Sequence, residues 1–206
     1  MKNLQETNES CWEIENYTRI LIIQSRFADA VRFLDSICQI KGCDKVCQSC
    51  LFYTYLFSKD FIRAEAIYDP CLNCRFLDPG GMYRQGDTLA MAYIYSQTGR
   101  KQKASRLLKI YRISLERKLN NNKSVFNYLE LAMIQANEGN RKEAINNFFR
   151  ANDIGMTYTL LDLIFIYPVC ETLITYPELA DYINQELHQQ AVLRAQVQTL
   201  EEEGEL

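Results

Sequence analysis

Residues Met91 to Leu108 and Leu131 to Phe148 carry the same pattern forty positions apart. The first stretch reads M-A-Y-I-Y-S-Q-T-G-R-K-Q-K-A-S-R-L-L and the second L-A-M-I-Q-A-N-E-G-N-R-K-E-A-I-N-N-F. Aligned on Ala104 and Ala144, they share an apolar residue followed by Ala (Met91-Ala92, Leu131-Ala132). They also share Gly99 against Gly139, a basic turn, and a bulky apolar residue four places after the anchor (Leu108, Phe148). Each stretch predicts a helix, a tight turn and a second helix. A unit repeated at this period cannot bury its apolar face alone, so the chain must stack such units on one another.

The anchor recurs upstream. Lys59 to Tyr68 leads through a polar-aromatic turn to Ala64, with Tyr68 four places on, and Ser25 to Leu34 does the same for Ala30 and Leu34. The anchors Ala30, Ala64, Ala104 and Ala144 therefore lie 34, 40 and 40 residues apart. Extra residues around Leu77 to Gly81 and Asn120 to Lys123 account for the longer spacing, and their Gly and Asn suit loops. Eight Gly and four Pro in 206 residues are few for a strand-and-turn protein, and no run alternates with period two, so the class is all-α.

A two-helix unit near 34 residues with small residues at the helix contacts resembles the tetratricopeptide repeat (TPR). The apolar position of the first helix is held by Tyr17, Leu51, Met91 and Leu131. The small residue beside it is Thr18, Ala92 or Ala132, with Phe52 departing from the pattern. The resemblance implies a TPR-like helical-hairpin solenoid forming a single domain over 1–206. Its repeats would fall at about 11–44, 45–78, 85–118 and 125–155, followed by a capping segment over 156–206. Gly155 is expected to stop the second helix of the fourth repeat, and Pro177 with Glu178 to open a long C-terminal capping helix. Leu179, Ile183, Leu187 and Ala191 recur along its apolar face, which Val197 and Leu200 extend, and the ending E-E-E-G-E-L is expected to be frayed.

From about Gly86 onward the chain is also similar to bacterial TPR domains attached to CadC/ToxR-type winged-helix regulators, adenylate cyclases and kinases. That likeness implies a fold and carries no catalytic residue.

Four of the eight cysteines form two C-x-x-C pairs, Cys47/Cys50 and Cys71/Cys74, with twenty residues between them. Such pairs can present four thiolates to a tetrahedral structural zinc. In the repeat register they fall at the start of the second unit's first helix and just past its second, ends that an antiparallel hairpin makes neighbours. Cys43 would share the face of the first pair, and Cys38 ends the preceding unit. Three readings stay open: small apolar side chains filling helix contacts, a zinc site, or disulfides in an oxidising compartment.

The remaining chemistry is sparse. His188 stands alone in a Gln-rich helix and reads as a surface residue. No phosphate loop, G-x-S-x-G or H-E-x-x-H occurs, and the acids read as scattered over helix exteriors. The run Arg100-Lys101-Gln102-Lys103 reads as a solvated turn. A net charge of −3 offers no broad basic field for nucleic acid. The longest apolar stretch, Tyr158 to Cys170, contains Asp162 and Pro168 and is too short to cross a bilayer.

If the first helices of the units line a groove, its expected residues are Arg19, Ile22 and Ile23, then Tyr53, Leu56 and Phe57. Tyr93, Ser96 and Gln97 follow, and finally Met133, Ala136 and Asn137. This lining suits an apolar or helical protein segment, with the chain's own final helix one candidate. The expected function is therefore a non-catalytic scaffold or adaptor with a protein or peptide partner, open to homo-oligomerisation, without cofactor unless zinc staples the second unit. The alternatives are a sensor domain related to the membrane regulators and a zinc- or disulfide-stapled redox-sensitive module. The expected compartment is the cytoplasm if Met1 is the native start, and the periplasm if the chain is a fragment of a membrane regulator.

Overall fold

The computed structural model describes residues 7–41, 45–68, 86–156 and 167–203. These form ten α-helices and one 3-10 turn, with no strand among the described residues. The first eight helices are α1 (Thr7–Ile23), α2 (Phe27–Lys41), α3 (Lys45–Phe57), α4 (Phe61–Ile67), α5 (Gly86–Gln97), α6 (Lys101–Asn121), α7 (Val125–Asn137) and α8 (Arg141–Gly155). They pair as four hairpins in chain order, and α1 contacts α3 as α5 contacts α7.

The four hairpin turns are copies of one structure. Each has three residues, and the middle one takes a left-handed backbone: Ser25 (φ 57°), Lys59 (φ 60°), Gly99 (φ 81°) and Gly139 (φ 79°). The N–H of the next residue donates back across the turn in every case, Arg26 to the Leu21 carbonyl, Asp60 to Tyr55, Arg100 to Tyr95 and Asn140 to Gln135, at 2.8 to 2.9 Å. This is the 6→1 bond that satisfies the orphan carbonyls of a helix end. Two of the turns use Gly, which adopts this conformation without a Cβ penalty, whereas Ser25 and Lys59 bear that penalty. Five residues after each left-handed position comes the anchor alanine, and Ala30, Ala64, Ala104 and Ala144 are all buried. A methyl group is what lets the second helix lie close against the first.

Ion pairs tie neighbouring hairpins. Arg100, in the third turn, pairs in bidentate fashion with Glu65 of α4, and its guanidinium lies 4.6 Å from the Tyr95 ring centroid. Arg112 of α6 reaches Glu138 of the fourth turn at 2.7 Å. The Arg100 turn is thus a bridge between units, where the sequence suggested a merely solvated loop. Asn120 and Asn121, expected in a loop, are the last residues of α6, so the longer third unit is accommodated by a longer helix.

Past Gly155, which ends α8 at φ 118°, the described chain resumes at Tyr167. A 3-10 turn (Pro168–Cys170) leads into the short α9 (Glu171–Ile174) and then α10 (Pro177–Glu203). Pro177 opens α10 and Glu178 in its first turn pairs with Arg141 of α8 at 2.7 Å, as an acid at a helix N-terminus should. Leu179 and Ile183 are fully buried, and Tyr182 packs edge-on against Phe148 and Phe149. From His188 onward the described side chains are exposed as far as Thr199, so only the first part of the helix caps the last hairpin. Helical geometry holds through Glu203, although the acidic run was expected to fray. No helix among the described residues is long and apolar enough to cross a membrane.

Candidate functional site

The residues expected to line an open groove divide sharply. Ile22, Tyr53, Leu56, Phe57, Tyr93, Met133 and Ala136 are buried; Ile23, Ser96, Gln97 and Asn137 are exposed, and Arg19 is half-buried. Ile22 belongs to the core that α1 shares with its neighbours, and on α3, α5 and α7 the segment Tyr167–Ile174 contributes to the burial. This segment lies against the side of α3, α5 and α7 that the register assigns to a groove. The Tyr167 ring stacks at 5.8 Å from Phe57, the 3-10 turn packs on α5, and α9 packs on α7. Val169, Cys170 and Leu173 are sealed in this contact.

Glu171 fixes the segment at its edge. It pairs with Lys59 and accepts a hydrogen bond of 2.7 Å from the Tyr93 hydroxyl. Those two hydrogen bonds, Lys59 first, hold its carboxyl below the usual range, while burial and the adjacent carboxylate push the Tyr93 phenol up. Tyr176 closes the row with a 3.5 Å contact to the Ala136 carbonyl. The own-chain occupant is therefore the segment before the final helix rather than that helix itself.

On α1 part of the surface stays exposed. At the register position of the buried Phe57 stands Ile23, 55% exposed, accompanied by Ile20 at 50% and Trp12, the sole tryptophan, at 63%. At about 100° per residue these three fall within a quarter of the helix circumference. The opposite side of α1 buries Ile14, Thr18, Leu21 and Ile22 against the core. A helix apolar on two sides has one side left to fill. The spacing of Trp12, Ile20 and Ile23 carries this signal in the sequence, but the groove register selected only Ile23.

Cys47 and Cys50 sit one turn apart at the start of α3, both fully buried. Tyr68, three residues before Cys71 in the chain, packs at 5.7 Å on Phe52, two residues after Cys50. Cys43, Cys71 and Cys74 lie outside the described residues. Among the described residues no group of three or more His, Cys, Asp or Glu could hold a metal. Cys170 is sealed in the core, and burial pushes its thiol up.

One acid escapes the expected pattern. Glu130 of α7 is only 6% exposed and accepts a 2.7 Å hydrogen bond from the Tyr111 hydroxyl of α6, itself buried. Desolvation dominates over Tyr111 and Lys118 and lifts the carboxyl to about 7. Its flanks, Leu129 and Leu131 in a helix buried from Leu129 to Ala136, are the sequence signal that it faces the interior. Nearby, Asn147 of α8 donates to the buried Gln135 side chain of α7 at 2.7 Å. Both pairs join helices, and Tyr111 also lines a cavity of about 380 Å³ with Tyr68, Thr88, Leu107, Ile110 and Ser114.

A cavity of about 310 Å³ lies between α5, α6 and α7, with Tyr93, Ser96, Lys101, Ser105 and Asn137 on its wall. Its described lining holds no carboxylate, imidazole or thiol that could activate a serine. His188 is exposed on α10. No family model, curated protein or solved structure matches this chain.

Proposed function

We propose that the chain is a TPR-like helical-repeat scaffold, non-catalytic, that binds a protein partner through the open side of α1. The repeat reading is supported by the four superposable turns and the four buried anchor alanines. The observation that carries the binding reading is the exposed row Trp12, Ile20 and Ile23, with Arg19 beside it, on a helix whose other side is already core. Exposed large apolar side chains grouped on one helix face mark interaction sites, and aromatic anchors contribute most to such contacts. Segment Tyr167–Ile174 illustrates what the equivalent side of the later hairpins accepts, namely an apolar stretch with an acid at its edge. A partner segment of that chemistry would meet Ile20, Ile23 and Arg19.

The test is affinity capture from the native source, followed by Trp12→Ala, Ile20→Ser and Ile23→Ser. Because the three side chains are exposed, these variants should keep the helical circular dichroism and melting temperature of the parent. Captured protein should fall away with them and persist with Ile62→Ser on the exposed side of α4. Capture that survives all three α1 substitutions would refute the reading.

A further inference from the structure

A separate pair of surfaces fits each other. Helix α6 carries seven Lys or Arg and one Glu, a net +6 within a chain of net −3. Its outward side presents Lys103, Arg106, Ile110, Ile113 and Arg117 at spacings of 3, 4, 3 and 4, with both isoleucines exposed. Among the described residues no carboxylate pairs with Arg106, Lys109 or Arg117. Helix α10 has the opposite character, with six acids and Arg194 alone, a net −5. Beyond Leu187 it runs clear of the body for about 24 Å at 1.5 Å per residue. On this free part Leu193 and Val197 are about half-exposed, and Leu200 continues the stripe at spacings of 4 and 3 before Glu201, Glu202 and Glu203.

We propose that the free half of α10 docks on the outer face of α6 of a second copy of this chain. An antiparallel fit sets Val197 against Ile113 and Leu200 against Ile110. The acids that follow Leu200 then fall beside Arg106 and Lys109. That orientation also brings the acidic C-terminal end of α10 to the positive N-terminal end of α6, so the helix dipoles add to the side-chain charges. The 3-and-4 spacing on both sides is what a two-helix seam requires.

A second copy is favoured because the complementarity is within the sequence itself: one apolar stripe ends in carboxylates, and the other is bracketed by cations that form no ion pair among the described residues. Pairing α10 with α10 in parallel would instead bring Glu201, Glu202 and Glu203 of the two copies together, which is costly. Each copy offers one tail and one receiving helix, so two copies exchanging tails form the smallest closed assembly.

Sedimentation equilibrium of the full chain tests this. The parent should self-associate, more weakly as salt is raised. Arg106→Glu with Lys109→Glu, and separately Glu201→Lys with Glu202→Lys, should each weaken association by about two orders of magnitude, since like charges then face each other. Mixing the two variants, or combining all four substitutions in one chain, should restore it. All sites are exposed, so unchanged melting temperatures are expected to accompany the loss. A parent that stays monomeric, association indifferent to both reversals, or a mixture that fails to associate would overturn the proposal. So would a monomer that binds phosphatidylserine-containing phosphatidylcholine vesicles through α6, which would assign the basic face to a membrane surface.

Discussion

Replacing Glu130 by Gln should make the protein more stable at alkaline pH while leaving it nearly unchanged in acid. The carboxyl is buried between α6 and α7, accepts a 2.7 Å hydrogen bond from the Tyr111 hydroxyl, and is lifted from 4.5 to about 7. A raised folded-state value means that the native protein holds the proton more tightly than the unfolded chain. The resulting stabilisation is complete below about 4.5 and is lost as pH rises through about 7. At about 1.4 kcal/mol per pH unit, the parent should lose about 2 to 3 kcal/mol from this group between pH 5 and pH 8. Gln keeps an oxygen to accept from Tyr111 and has no proton to lose. Urea denaturation at pH 5, 6, 7 and 8 should show the variant's curve flattening relative to the parent, or a gap in melting temperature widening by about 5 to 10 °C. Tyr111→Phe, which removes a bond that lowers the carboxyl value, should cost stability and move the parent's loss to higher pH. Parallel pH profiles for Glu130→Gln and the parent would refute the argument that desolvation governs this residue.

The repeated turns predict an asymmetry. Gly99→Ala and Gly139→Ala should each cost about 1 kcal/mol in urea denaturation, because an added Cβ meets nothing within 4 Å and the penalty is the left-handed backbone alone. Ser25→Gly, at the same place in the first turn, should cost nothing or gain up to about 1 kcal/mol. A zinc staple made by Cys47, Cys50, Cys71 and Cys74 predicts one bound zinc per chain after purification without added metal, and a melting temperature that falls with a chelator. Eight titratable thiols with no metal would leave Cys47 and Cys50 as core packing.

The repeat was legible because its determinants are local. Ala30, Ala64, Ala104 and Ala144 are needed where two helices touch, and Gly99 and Gly139 where the backbone turns left-handed. Ser25 and Lys59 adopt the same turn without announcing it, since nothing in their side chains requires a positive φ. The covering of the groove side has a non-local origin. Phe57, Tyr93 and Met133 sit where the register predicts, but periodicity cannot reveal that Tyr167–Ile174, a segment outside the repeat, lies over them. The same blindness affected α10, whose apolar stripe continues to Leu200 although packing stops near Leu187. Glu130 escapes a reading that places acids on helix exteriors, and Trp12 lies outside the groove register altogether.

The binding claim meets its most direct test in a photo-crosslinking amino acid placed at Ile20 or Ile23 and irradiated in the native source. The α1 surface predicts a discrete protein adduct from both positions that is lost when Trp12→Ala is added, and no such adduct from the same probe at Ile62 of α4. The same adducts from Ile62, or none from α1, would contradict it.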